Sequence, residues 1–241
     1  MSVLLLRLSA PMQSWGTQSR FGIRDTGYEP SKSGVIGLLC AALGKPREEG
    51  PDDGHPTLAE LSALRMGVRV LREGVPKVDY HTVGGTAGGA IQSWRHYLSD
   101  ADFLVGLESG DEALLRRLHE RLQRPHWPLF FGRKSFPASL PVAIDIVDGQ
   151  LEDVLVNPDS WREKTLRPNV EAGFRIVIEK RIKGGTDGDN APEWDEATEI
   201  RQDVPLSFAE RRFTIRRVRT EFVEVKSAVG GLSEPGETAT G

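Results

Sequence analysis

The sequence predicts an α+β fold organised around an antiparallel sheet. Three observations lead there. Short apolar segments of strand length and two segments of helix length follow one another over residues 1–147 in the order strand, helix, strand, strand, helix, strand. One of the helices is apolar throughout and the other is amphipathic, and the order suits an antiparallel sheet with both helices on one face. The 241 residues are 38% hydrophobic and 27% charged, which suits a packed globular chain and not a disordered one.

The elements follow in order. Residues 3–9 alternate and read as a first strand. A polar, Gly-containing loop over 10–30 leads to Ser31 and Ser33, either of which can cap an apolar helix over 34–43 that Gly44 and Pro46 end. An acidic Pro/Gly linker (48–56) precedes a short helix around 58–64, and residues 66–71 alternate as a second strand. Residues 74–91 carry almost no core pattern and hold Gly84, Gly85, Gly88 and Gly89, so they form a long loop or an extended hairpin tip. Residues 103–107 read as a third strand. Over 111–123, Leu114, Leu115, Leu118 and Leu122 share one helix face with Arg116, Arg117 and Arg121 turned away. Residues 142–147 make the fourth strand after a Pro-rich turn. This is the ferredoxin-like βαββαβ order. Residues 148–226 read as an additional, irregular β-rich region with strands at 173–180 and 213–226 and a polar excursion over 183–196; 227–241 reads as a disordered tail.

The net charge of −4 argues against a bulk polycation, but the charge lies in blocks. Residues 1–47 carry +4, 48–62 carry −5, 136–200 carry −7 and 201–226 carry +3. A basic face can therefore exist on an acidic chain. Cys40, the lone cysteine, excludes a disulfide framework and any Cys-based zinc cluster and fits a reducing cytoplasm. No apolar stretch reaches the ~20 residues of a membrane-spanning helix, and residues 1–7 do not read as a secretory signal.

Most catalytic signatures are missing. There is no G-x-S-x-G elbow, His119-Glu120 lacks the second His of a metalloprotease helix, and the Gly84–Gly89 stretch lacks the ending of a P-loop. The five His residues show no metal-ligand spacing, so neither metal nor cofactor is expected. Anion-binding chemistry remains. In Pro30-Ser31-Lys32-Ser33-Gly34 a cation and free backbone N–H groups stand at a helix start, which favours a phosphate and equally describes an ordinary Ser cap. Gly132-Arg133-Lys134-Ser135 is flanked by Trp127, Phe130 and Phe131, a composition used on single-stranded nucleic acid and also found in plain turns. Asp79-Tyr80-His81-Thr82 and Trp94-Arg95 bracket the glycines as polar and aromatic anchors.

The runs L-R-L-x-x-P-M-Q-x-W-G (from Leu6) and P-S-K-S-G-V-I-G-L-L (from Pro30) resemble the N-terminal signature of the CasD family. So do D-Y-H-T-V (from Asp79), I-Q-S-W-R-H-Y-L (from Ile91) and P-L-F-F-G-R-K-S-F-P (from Pro128). The likeness spans roughly residues 3–140. It implies a RAMP-type (RRM-like) ferredoxin-like domain with a β-hairpin thumb over about 75–98, in the type I-E CRISPR surveillance complex Cascade. It further implies a non-catalytic subunit that binds the 5′ handle of crRNA and caps the backbone filament in antiviral defence. The backbone subunit CasC and the large subunit CasA would be its neighbours, and target DNA an indirect partner. Carried over, the RNA-facing residues would be Gln13, Ser14, Trp15, Arg20, Lys32, Ser33, Gly34, His81, Arg95, Arg133, Lys134 and Ser135. Two other readings stay open: a metal-independent endoribonuclease on precursor crRNA using Tyr28, His81 and Lys134, and a mainly protein-docking assembly module.

Overall fold

A computed structural model describes residues 1–16, 22–48, 50, 54–84, 89–157, 173–181 and 198–224. In chain order they form β1 (Ser2–Ser9), β2 (Met12–Gln13), β3 (Ile23–Arg24), α1 (Lys32–Leu43), α2 (Leu58–Ala63), β4 (Arg65–Arg72), β5 (Val75–Val83) and β6 (Ile91–Ser99). There follow β7 (Asp102–Ser109), α3 (Glu112–Gln123), β8 (Ala143–Asp148), α4 (Leu151–Val156), β9 (Phe174–Glu179), β10 (Thr198–Ser207) and β11 (Arg212–Val223). The excursion at 183–196 and the tail at 227–241 lie outside the described residues.

Seven strands form one antiparallel sheet in the order β10-β11-β9-β4-β7-β1-β8. A second sheet holds β5 along one side of β6, with β2 and β3 at different heights on the other. Gly85 and Gly88 of the expected tip lie outside the described residues, while residues 75–83 and 91–99 pair as the two strands of a long hairpin. Its strands escaped the hydrophobic pattern because most of β5 is exposed on both faces. Strands β9–β11 extend the large sheet instead of standing apart from it.

The caps behave as the sequence reads. Ser31 Oγ accepts from the Gly34 amide at 3.3 Å, and Gly44 ends α1 in the left-handed region with φ +78°. Asp111 Oδ1 accepts from the Leu114 amide at 2.9 Å to start α3. Strand β1 does not alternate between core and solvent. Leu4, Leu6 and Leu8 pack under the α1 and α3 side, while Val3 and Leu5 pack with Leu151, Val154 and Leu155 of α4. Both faces of a central strand are covered, so both faces are apolar. The Pro205-containing strand β10 was unread; it is an edge strand, where a missing N–H is tolerated.

Arg69 of β4 is buried, with its guanidinium 3.5 Å from the Phe174 ring centroid and donating to the carbonyls of Leu155 and Val156 at 2.9 and 3.0 Å. It closes the C-terminal end of α4, whose carbonyls have no helical donor. Arg69→Ala is expected to cost about 3 kcal/mol, read as a lower urea midpoint, through lost packing and two orphaned carbonyls.

Candidate nucleic-acid interface

The register of the hairpin sorts its side chains. Lys77, Asp79 and His81 of β5 stand opposite Tyr97, Arg95 and Ser93 of β6, and opposite residues share a face. Arg24 of β3 lies beside Arg95 on the other flank, through the parallel pairing of Arg24 with Arg95. This face is charged. The opposite face carries Val78, Tyr80, Trp94 and Ile23, all at least 43% exposed, and no charged residue among those of β5 and β6 that point there.

Arg133 joins the charged face. Its guanidinium sits 5.5 Å from the Phe136 ring centroid, Phe136 meets Tyr97 at 5.6 Å, and Nη2 donates to the His96 carbonyl at 2.9 Å. Burial first, and then the neighbouring Arg95 and Arg24, push the Arg133 guanidinium below its ordinary value, while Asp79 opposes them. Three guanidinia thus converge on one surface, and Lys134 and Ser135 are exposed in the same turn. Among the described residues Lys134 has no ion-pair partner. Arg24 was missed by sequence reasoning: it lies in a loop segment whose pairing with β6 leaves no periodic trace.

The turn is fixed from below. Gly132 has φ +84°, and a Cβ there would lie 1.9 Å from the Ser14 carbonyl oxygen. The Ser14 amide donates to the Phe131 carbonyl at 3.1 Å, and Ser14 Oγ donates to the same His96 carbonyl at 3.3 Å. Two motifs far apart in sequence therefore clamp the hairpin root together. Gly132→Val is expected to destabilise by about 2–4 kcal/mol in a urea titration, and Ser135→Val, exposed three residues on, by under about 0.5 kcal/mol.

Gln13 and Trp15, also expected at the site, are not at the surface. Gln13 is fully buried, donating to the carbonyls of Leu8 at 3.1 Å and Ala101 at 2.8 Å and accepting from Trp15 Nε1 at 3.0 Å. Trp15 is 2% exposed, 5.6 Å from Phe131, and covers Gly34, where a Cβ would approach its ring to 2.8 Å. The RNA-facing place that the resemblance implied for Trp15 is therefore corrected to core packing, and Gly34 is small to admit that ring. Arg20 lies outside the described residues. His81, half exposed, pairs with Asp79 through Nε2. Ser33 is half-buried beside the Ser31 cap.

Lys32 needs the largest correction. It is 2% exposed and its ammonium bonds both Glu179 oxygens at 2.8 and 2.9 Å. Its backbone amide donates to Asp203 Oδ2 at 2.8 Å, and Asp203 is held by Arg216 at 2.6 and 2.8 Å. The helix start does attract an anion, as the sequence implied, but the anion is a carboxylate of the chain itself. Burial pushes the Asp203 carboxyl up; Arg216 and the Lys32 amide outweigh it and hold it below its ordinary value. Among the described residues no group of His, Cys, Asp or Glu is placed to hold a metal ion, and no described helix is long and apolar enough to cross a membrane.

A family model described as CRISPR-associated protein (Cas_Cas5) matches residues 3–219. The chain belongs to the Cas5 family. It is similar to the CRISPR system Cascade subunit CasD of Escherichia coli (strain K12), 34% identical over 155 residues covering 58% of this chain and 69% of that protein. The Cas5 chain is also similar to two solved structures. One is a crystal structure of a Cas protein, with TM-score 0.68 and 40% identity over 92% of this chain and 95% of that one. The other is a CRISPR RNA-guided surveillance complex, with TM-score 0.64 and 31% identity over 92% and 90%.

Proposed function

We propose that this Cas5 chain is a non-catalytic, cytoplasmic subunit of a type I-E Cascade complex that holds the 5′ handle of crRNA and caps the backbone filament. CasC and CasA are its neighbours in this reading, and target DNA an indirect partner. The observation that carries it is the convergence of Arg24, Arg95 and Arg133, with Lys134 beside them, on one face of a protruding hairpin. The three guanidinia and Lys134 outnumber the Asp79 carboxylate on that face, which His81 already engages, so the cations repel one another and are relieved by phosphates. The strand order β8-β1-β7-β4, with α1 and α3 over the same apolar cluster, supports a ferredoxin-like domain, and the β5–β6 hairpin corresponds to a thumb.

The endoribonuclease reading rests on the His81–Asp79 pair, an oriented base on the same face. Tyr28 and Lys134 share no hydrogen bond with it among the described residues. Incubating the chain with precursor crRNA in EDTA decides between them. Intact RNA, retained with its handle protected from added nuclease, is the expected result; specific cleavage lost in His81→Ala would overturn it.

A further inference from the structure

We propose that the cavity between residues 27–31 and the edge of β10 seats one nucleobase splayed out of the bound RNA strand. This rests on the RNA-binding reading above. The cavity holds about 400 Å³, and Tyr28, Glu29, Ser31, Arg201, Gln202 and Phe213 are among its lining residues. That is at the lower end of the range for small-ligand sites and large enough for a planar ring system.

The wall decides the ligand's charge. Glu29 is bound by Arg175 at 2.7 Å and also by Arg201, and Asp203 is bound by Arg216. Every one of these charges is already met, so a phosphate entering the cavity would find no spare cation and a carboxylate none either. An uncharged polar group is favoured. The remaining lining suits a base. Tyr28 is 63% exposed with no hydrogen bond among the described residues, and Phe213 supplies a second aromatic ring. Gln202 is exposed and uses only its Nε2, toward the Phe213 carbonyl at 3.3 Å, leaving its Oε1 for a donor on a base edge.

The backbone has been shaped for this arrangement. The β10–β11 register shifts between Arg201 and Val204, a bulge that sends Asp203 inward to α1 while Gln202 stays out. As an edge strand, β10 also offers backbone groups on its unpaired side. The position fits an RNA path. Tyr28 is four residues from Arg24 of the cationic face, so at most about 14 Å of chain separates them. A strand whose phosphates lie along the hairpin can turn one base into the cavity, the usual mode of reading single-stranded RNA.

The test uses the full chain and the RNA that co-purifies with it, resynthesised with one abasic nucleotide at each position in turn. One position is expected to weaken binding about tenfold in the wild type. That penalty should vanish in Tyr28→Ala/Gln202→Ala, whose altered side chains are both exposed and whose folding is checked by its urea midpoint. Phe213→Ala serves as a third variant and should act in the same way. If RNA binds but no position shows a penalty that the variants remove, the cavity assignment is wrong and the RNA reading stands. If no RNA co-purifies and none binds, the RNA reading fails and the cavity assignment falls with it.

Discussion

Replacing Arg24, Arg95 and Lys134 together by alanine is expected to weaken handle-RNA binding about 50-fold at 0.15 M salt. The figure follows from counterion release: each phosphate contact on a single strand contributes about −0.7 to the slope of log K against log salt, so three contacts contribute about −2. The same loss must therefore appear as a salt slope shallower by about 2, measured by fluorescence anisotropy between low and physiological salt. Two controls separate this from a general charge effect. Arg116→Ala removes an exposed cation from α3, paired there with Glu112, and should leave the slope as it is. Lys32→Ala removes a buried cation bound to Glu179 and should lower stability without changing the slope. A triple variant with a wild-type slope would dissociate the hairpin face from the RNA. Arg133 is left out of the triple because its bond to the His96 carbonyl makes it part of the hairpin root.

The contrast between Lys32 and Arg24 shows what a sequence carries and what it does not. The motif around Ser31 gave the cap, the helix and the preference for an anion, all of which are local and follow from backbone geometry within four residues. It did not give the anion's source, because Asp203 lies 171 residues away and is delivered by pairing of β10 with β11. Long-range pairing also hid Arg24, which joins the cationic face only once β3 pairs with β6. Amphipathic α3 was legible because its burial is periodic, and the central strands β1, β4 and β7 because short apolar runs mark strands buried on both faces. The hairpin was open only as an alternative to a loop and through the family resemblance, because a strand exposed on both faces has no hydrophobic pattern to read. Gln13 and Trp15 show the opposite error: polar and aromatic side chains in a loop invite a ligand, yet they satisfy each other inside the core.

Asp203→Ala is expected to be the most damaging single change in the protein, at about 3–5 kcal/mol. It leaves the Lys32 amide without its acceptor and the Arg216 guanidinium, with its side chain 4% exposed, only the more distant Glu179 at 3.7 Å. A cavity alone would cost less; the weakened pairing of a buried charge dominates. Asp203→Asn keeps an acceptor for the Lys32 amide and removes only the charge, so it should fall between the two. The pH dependence tests the electrostatic part directly. Asp203 is held below its ordinary value in the folded chain, so the unfolded state takes up its proton first. Its stabilisation is complete above the unfolded carboxyl value near 3.8 and is lost as pH falls through the lower folded value. Urea midpoints measured downward from neutral pH should therefore fall more steeply in the wild type than in Asp203→Asn below about pH 4, and the two curves should converge in acid. Parallel curves would mean that Asp203 acts through packing alone, and that the start of α1 is held by its Ser31 cap without need of an internal anion.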